Sequence, residues 1–140
     1  MIFSKKKVIK RLDNRVSEYC YHELKKIYDM KNTQGLFNKK CFYNAVQYAS
    51  KHKGCEVVMG FYKWCDSDHC SLHFWCKKGD NNYEVSVGYE CEYFNYYEIK
   101  TIDKKDWVVI DTVFIEALDY YKHKFTTNWE RIILGKERII

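Results

Sequence analysis

A chain of 140 residues carrying a net charge of +5 fits one domain and leaves little room for a second. At 46% hydrophobic and 31% charged residues it lies away from disordered compositions, and a chain this long buries roughly 70% of its unfolded surface without a staple. The charge is lower than a dedicated nucleic-acid binder carries, so nucleic acid is not the expected partner; Lys5, Lys6, Lys7, Lys10 and Arg11 read instead as the wet face of a first helix.

Aromatic residues make up 18% of the chain, with 13 Tyr, 8 Phe and 4 Trp. Rings of this kind fill cores and also grip ligands. Pro is absent, Lys far outnumbers Arg, and Asn, Ile and Tyr are abundant. AT-rich codons give that bias, and an AT-rich bacterium or a virus infecting one is the expected source. Seven Cys at irregular spacing do not form an even disulfide framework. Met1-Ile2-Phe3-Ser4 runs into lysines without an apolar segment, and no stretch approaches the roughly 18–20 apolar residues of a membrane span. The expectation is a reduced, cytoplasmic protein (in the host cytoplasm if viral) with no membrane association.

In chain order, Val8, Leu12, Val16, Tyr19 or Cys20, Leu24 and Ile27 recur at three- and four-residue steps and predict a helix over 7–30. Residues 31–40 read as a loop, with Asn38 as a helix cap. A second helix follows from Lys40 to about His52, with Phe42, Ala45, Val46 and Ala49 on one face and Gly54 as its stop. The period then shortens to two. Segments 55–65 and 70–76 read as strands, and 77–82 as a hairpin turn leading into a strand over 83–88. Further strands are expected at 96–102 and 107–110, and a last helix from Asp111 or Thr112 to about His123. Clustered strands flanked by helices predict an α+β fold: helices on a mainly antiparallel sheet, in a single domain over 1–140.

Three features carry chemistry. Cys41 opens the second helix, where unpaired amides and the helix dipole favour a thiolate. His73 shares a strand face with Ser71 and Trp75, opposite Cys70, Leu72, Phe74 and Cys76. Glu84 lies eleven residues later across the hairpin, where antiparallel pairing can set a carboxylate beside the imidazole to hold its tautomer.

The run Lys40-Cys41-Phe42-Tyr43-Asn44-Ala45, then Val57-Val58-Met59-Gly60-Phe61-Tyr62, then His73-Phe74-Trp75, then Tyr83-Glu84-Val85-Ser86-Val87-Gly88 resembles the papain-like and transglutaminase-like superfamily of cysteine hydrolases. The likeness covers about 38–88 and is closest to small bacterial and phage members. It implies a papain-like core with Cys41 as nucleophile, His73 as general base and Glu84 as third member. Glu stands where Asp is usual, Ser86 where Thr is common, and Phe74 where a small residue separates His and Trp. Gln34 lies near the position of an oxyanion-stabilising Gln, alongside the Cys41 amide as donor. Tyr43, Asn44, Tyr62, Trp64 and Trp75 are the candidate substrate-lining residues. The resemblance implies acyl transfer on an amide-containing substrate, without a cofactor, and the short chain favours a small amide or a single side chain over processive proteolysis.

Two other readings stay open. Cys65, His69, Cys70, His73 and Cys76 place five soft ligands in twelve residues, though without the paired C-x2-C knuckle of zinc sites. The same fold could also serve as a non-enzymatic module that binds a protein partner or inhibits a host factor.

Overall fold

The computed structural model describes residues 4–33, 40–86, 88–136 and 140. The fold is α+β: one face of a six-stranded mixed sheet is covered by helices, and the other carries a smaller cluster around a 3₁₀ segment.

Helix α1 spans Lys5–Glu23 and is capped by the Ser4 side chain, which accepts from the Lys7 amide at 3.2 Å. Val8, Leu12, Val16 and Cys20 repeat every fourth residue and are buried against the sheet. Each such aliphatic side chain contributes about 1.5–3 kcal/mol on burial. The predicted helix over 7–30 is therefore too long. The chain turns extended at Leu24, and Lys25–Ile27 (β1) and Met30–Asn32 (β2) join the two edges of the sheet. Leu24 and Ile27 continue the helical step by coincidence, while ladder bonding to Tyr96–Glu98 decides the outcome.

Helix α2 covers Cys41–Lys51, followed by β3 (Glu56–Trp64), β4 (Ser71–Lys78) and β5 (Asn81–Glu84). A two-residue turn joins β4 to β5, with Gly79 at φ +60°. A 3₁₀ segment at Gly88–Tyr93 leads into β6 (Phe94–Ile102). The predicted strand over 83–88 thus stops at Glu84. The predicted strand over 107–110 is instead a 3₁₀ helix, Lys104–Val109, that feeds α3 (Ile110–Phe125). Helix α4 (Asn128–Leu134) follows behind a capping box of Thr127 and Glu130, and Arg15 on α1 bonds that Glu130 at 2.6 Å.

The strand order is β1-β6-β3-β4-β5-β2. All pairings are antiparallel except β2 with β5. Alternation sends Leu72, Phe74 and Cys76 to the helix-covered face and Trp75 to the other, as expected. Gly60 sits at a bulge between β3 and β6, with the Trp75 ring laid over it; a Cβ there would run into that ring and the Tyr97 carbonyl. Among the described residues no helix is long and apolar enough to cross a membrane.

Candidate active site

Cys41 is the first residue of α2 and is half-buried. Lys40, at the N-cap, makes no side-chain capping bond, and the amides of the first turn have no acceptor within the helix. Strand β5 pairs with β4 only along Cys76–Lys78. Past that point β4 runs on without its β5 neighbour, and here the helix start reaches it. The Cys41 thiol lies close enough to the His73 imidazole and the Phe74 backbone N–H for both to hold its ionisation down. A thiol from the helix side and a histidine from the far face therefore approach each other where the sheet is interrupted.

The β4–β5 hairpin brings Glu84 to the other side of the imidazole. His73 Nε2 lies 2.7 Å from Glu84 Oε1 and 3.0 Å from Oε2, which leaves Nδ1 for the thiol. His73 is 3% exposed and Glu84 0%. The carboxylate takes two further donors: the Tyr96 hydroxyl at 2.6 Å on Oε1 and the Ser86 amide at 3.2 Å on Oε2. Ser86 Oγ in turn accepts from Asn44 Nδ2 at 3.0 Å, tying α2 to the segment after β5.

The charges support one another. Burial alone would push the Cys41 thiol up, but the hydrogen bond and positive charge of His73, with the Phe74 amide, hold it below its usual range. Burial would pull His73 down, yet the Glu84 charge and the bonds to Cys41 and Glu84 raise it well above its ordinary value of 6.5. Burial would raise Glu84, and His73, Tyr96 and the Ser86 amide keep it below the usual carboxylate range. The arrangement favours a thiolate–imidazolium pair held by a buried carboxylate.

The remaining candidates divide. Trp75 is fully buried, its Nε1 bonded to Asn82 at 2.9 Å, so it supports the sheet and does not line a cleft. Asn44 is likewise buried and spent on Ser86. Tyr62 lies against the imidazole, stacked on His73. Trp64 and Tyr43 remain about half exposed, with Tyr43 beside Lys40. Gln34 lies outside the described residues, as does Asn38.

The five soft ligands do not converge. His73 is committed to Glu84 and Cys41. His69 Nδ1 bonds Asp13 at 2.8 Å, and Cys65 is exposed beside Asn95. Cys70 is buried against Cys20, and Cys76 donates to the Ala45 carbonyl at 3.2 Å. Among the described residues no group of three or more His, Cys, Asp or Glu side chains is arranged to hold a metal ion.

Sequence reasoning missed Tyr96 and the Phe74 amide. Tyr96 is one of thirteen tyrosines, and only the β3–β6 register selects it. No protein-family model matches the chain, and no curated protein or solved structure matches it.

Proposed function

We propose that this protein is a cysteine-dependent acyl-transfer enzyme, of the amidase, peptidase or transglutaminase-like type, acting through Cys41, His73 and Glu84. One relationship carries the reading: the imidazole that lowers the Cys41 thiol's ionisation has its Nε2 2.7 Å from a fully buried carboxylate. The papain-like likeness of the sequence agrees with that order of residues.

In this reading the Cys41 thiolate attacks an amide carbonyl, and the S–C bond forms as the carbonyl electrons move to oxygen. The Cys41 amide, at the helix start, donates in this reading to the developing oxyanion. Collapse of the adduct expels the amine, which takes the His73 proton. Imidazole then deprotonates a water or an incoming amine, which releases the acyl group and restores the thiol proton to the pair. Glu84 fixes the tautomer and holds the imidazolium throughout.

The test is an amide panel, scored for ammonia or amine release, with wild type beside Cys41→Ser and Glu84→Gln. Turnover that vanishes in the serine variant and survives in part in the glutamine variant supports the assignment. Wild-type iodoacetamide labelling supplies a substrate-independent check: Cys41 must alkylate in mildly acidic buffer. Labelling of Cys41 only at alkaline pH removes the basis for the reading.

A further inference from the structure

We infer that Tyr96 is a positioning residue that keeps the Glu84 carboxylate charged and aimed at His73; this rests on the acyl-transfer reading above. A fully buried carboxylate is costly unless donors replace its lost water. Glu84 has three donors, and their roles differ. His73 exchanges its proton with Cys41 and the leaving amine during turnover, so its positive charge comes and goes. The Ser86 amide is fixed but sits at 3.2 Å. The Tyr96 hydroxyl, at 2.6 Å, has the short distance of a charge-assisted O–H donor and exchanges no proton in the proposed cycle.

The tyrosine is itself immobilised. It is 1% exposed, its ring meets Trp75 edge-on at 5.4 Å and 77°, and the β6 ladder sets its backbone opposite Tyr62. Burial and the neighbouring carboxylate push its own ionisation far up, so it remains a donor across the working pH range. Both carboxylate oxygens are thereby clamped: Oε1 between His73 and Tyr96, Oε2 between His73 and the Ser86 amide. The titratable groups that feel Glu84 are His73 from β4, Tyr96 from β6, Cys41 from α2 and Cys91 from the 3₁₀ segment, with Cys76 on the opposite face of β4. Burial raises Cys76, and it pushes Cys91 up to about 11, so neither contributes a charge at neutral pH.

Tyr96→Phe keeps the ring and removes only the donor. The readout is the pH dependence of Cys41 alkylation by iodoacetamide, which needs no known substrate. Loss of a donor to the charged form raises the Glu84 pKa, so the acid limb of the alkylation profile should move to higher pH by about one unit. The plateau rate at neutral pH should fall less than about tenfold, because thiol and imidazole remain. A superimposable acid limb in Tyr96→Phe, with reactive wild-type Cys41, overturns the inference and leaves the acyl-transfer reading standing. A wild-type Cys41 reactive only at alkaline pH sinks both. Should Tyr96→Phe not fold, 3-fluorotyrosine at position 96 is a stronger donor of nearly the same shape and must move the limb the opposite way; no movement there also overturns the inference.

Discussion

The Tyr62 ring lies flat on the His73 imidazole, with ring centres 4.0 Å apart and planes 11° from parallel. Phe94 stacks on Tyr62 at 4.7 Å, and Trp64 meets Phe94 at 4.2 Å. The imidazole is thus the buried end of an aromatic column whose outer end, Trp64, is 48% exposed. A ring cover keeps water from the His73–Glu84 bond, and charge-assisted bonds gain strength where water is scarce.

Tyr62→Leu should therefore slow Cys41 alkylation at neutral pH by about threefold to tenfold. The rates are compared per folded molecule, with folding followed by near-ultraviolet circular dichroism. Equal rates would mean that the ring is packing alone.

The seven thiols should separate by environment. Cys20, Cys70, Cys76 and Cys91 are buried, Cys41 and Cys55 half-buried and Cys65 exposed. Burial raises Cys76, while its bond with Cys70 raises Cys20 first and burial second. At about pH 6 iodoacetamide should modify Cys41 before Cys65 despite the greater exposure of Cys65, because the neighbouring His73 holds the Cys41 thiol below its usual range. Mass-spectrometric mapping after short exposure decides it; Cys65 labelling first would count against the activated thiol.

Stability should carry the signature of the buried pair. Glu84 is held below its ordinary 4.5, so its contribution is present above that value and is lost as pH falls through the folded pKa. His73 is held well above 6.5, so its contribution is complete below 6.5 and is lost as pH rises through the folded pKa. In a Cys41→Ser background, the unfolding free energy relative to a His73→Gln, Glu84→Gln double variant should be greatest between those two values. It should decline on both sides by at most about 1.4 kcal/mol per pH unit for each group. Urea titrations across the range measure it, and a flat difference would contradict the pair.

Gly60→Ala should destabilise the fold by roughly 3 kcal/mol or more, since the added methyl meets backbone on one side and an immobile indole on the other. Thermal melts would show the loss. A neutral effect would mean that β3 and β6 can part at the bulge at little cost.

The sequence made α2 legible because Phe42, Ala45, Val46 and Ala49 share one helical face, and β3 and β4 legible because the short apolar runs Val57–Phe61 and Leu72–Cys76 are bounded by polar turns. It hid β1 and β2, since three residues such as Lys25–Ile27 are too few to display a period. Helix α4 was detectable: Thr127-Asn128-Trp129-Glu130 is a capping-box signature before an apolar run. The hairpin spacing made a His73–Glu84 approach possible, and the two-residue turn at Gly79–Asp80, which the sequence read as the longer segment 77–82, fixes the register that brings them together. Tyr96 could not be placed in this way, because its approach depends on a long-range pairing with a bulge at Met59/Gly60 that no local pattern announces.

The interruption of the sheet beside β4 also divides the labour of the site between two bodies. His73, Glu84 and Tyr96 ride on three strands, while Cys41 is delivered by an eleven-residue helix tied to them through Asn44–Ser86 and Cys76–Ala45. Helices of that length are marginal alone, so α2 depends for its order on this seam and on the packing of Phe42, Ala45 and Ala49 into the core. Loosening the seam would carry the Cys41 thiol away while leaving His73, Glu84 and Tyr96 assembled. On heating, Cys41 reactivity towards iodoacetamide should therefore fade before the far-ultraviolet signal of the sheet is lost, the strands retaining their order above the temperature at which this short helix frays.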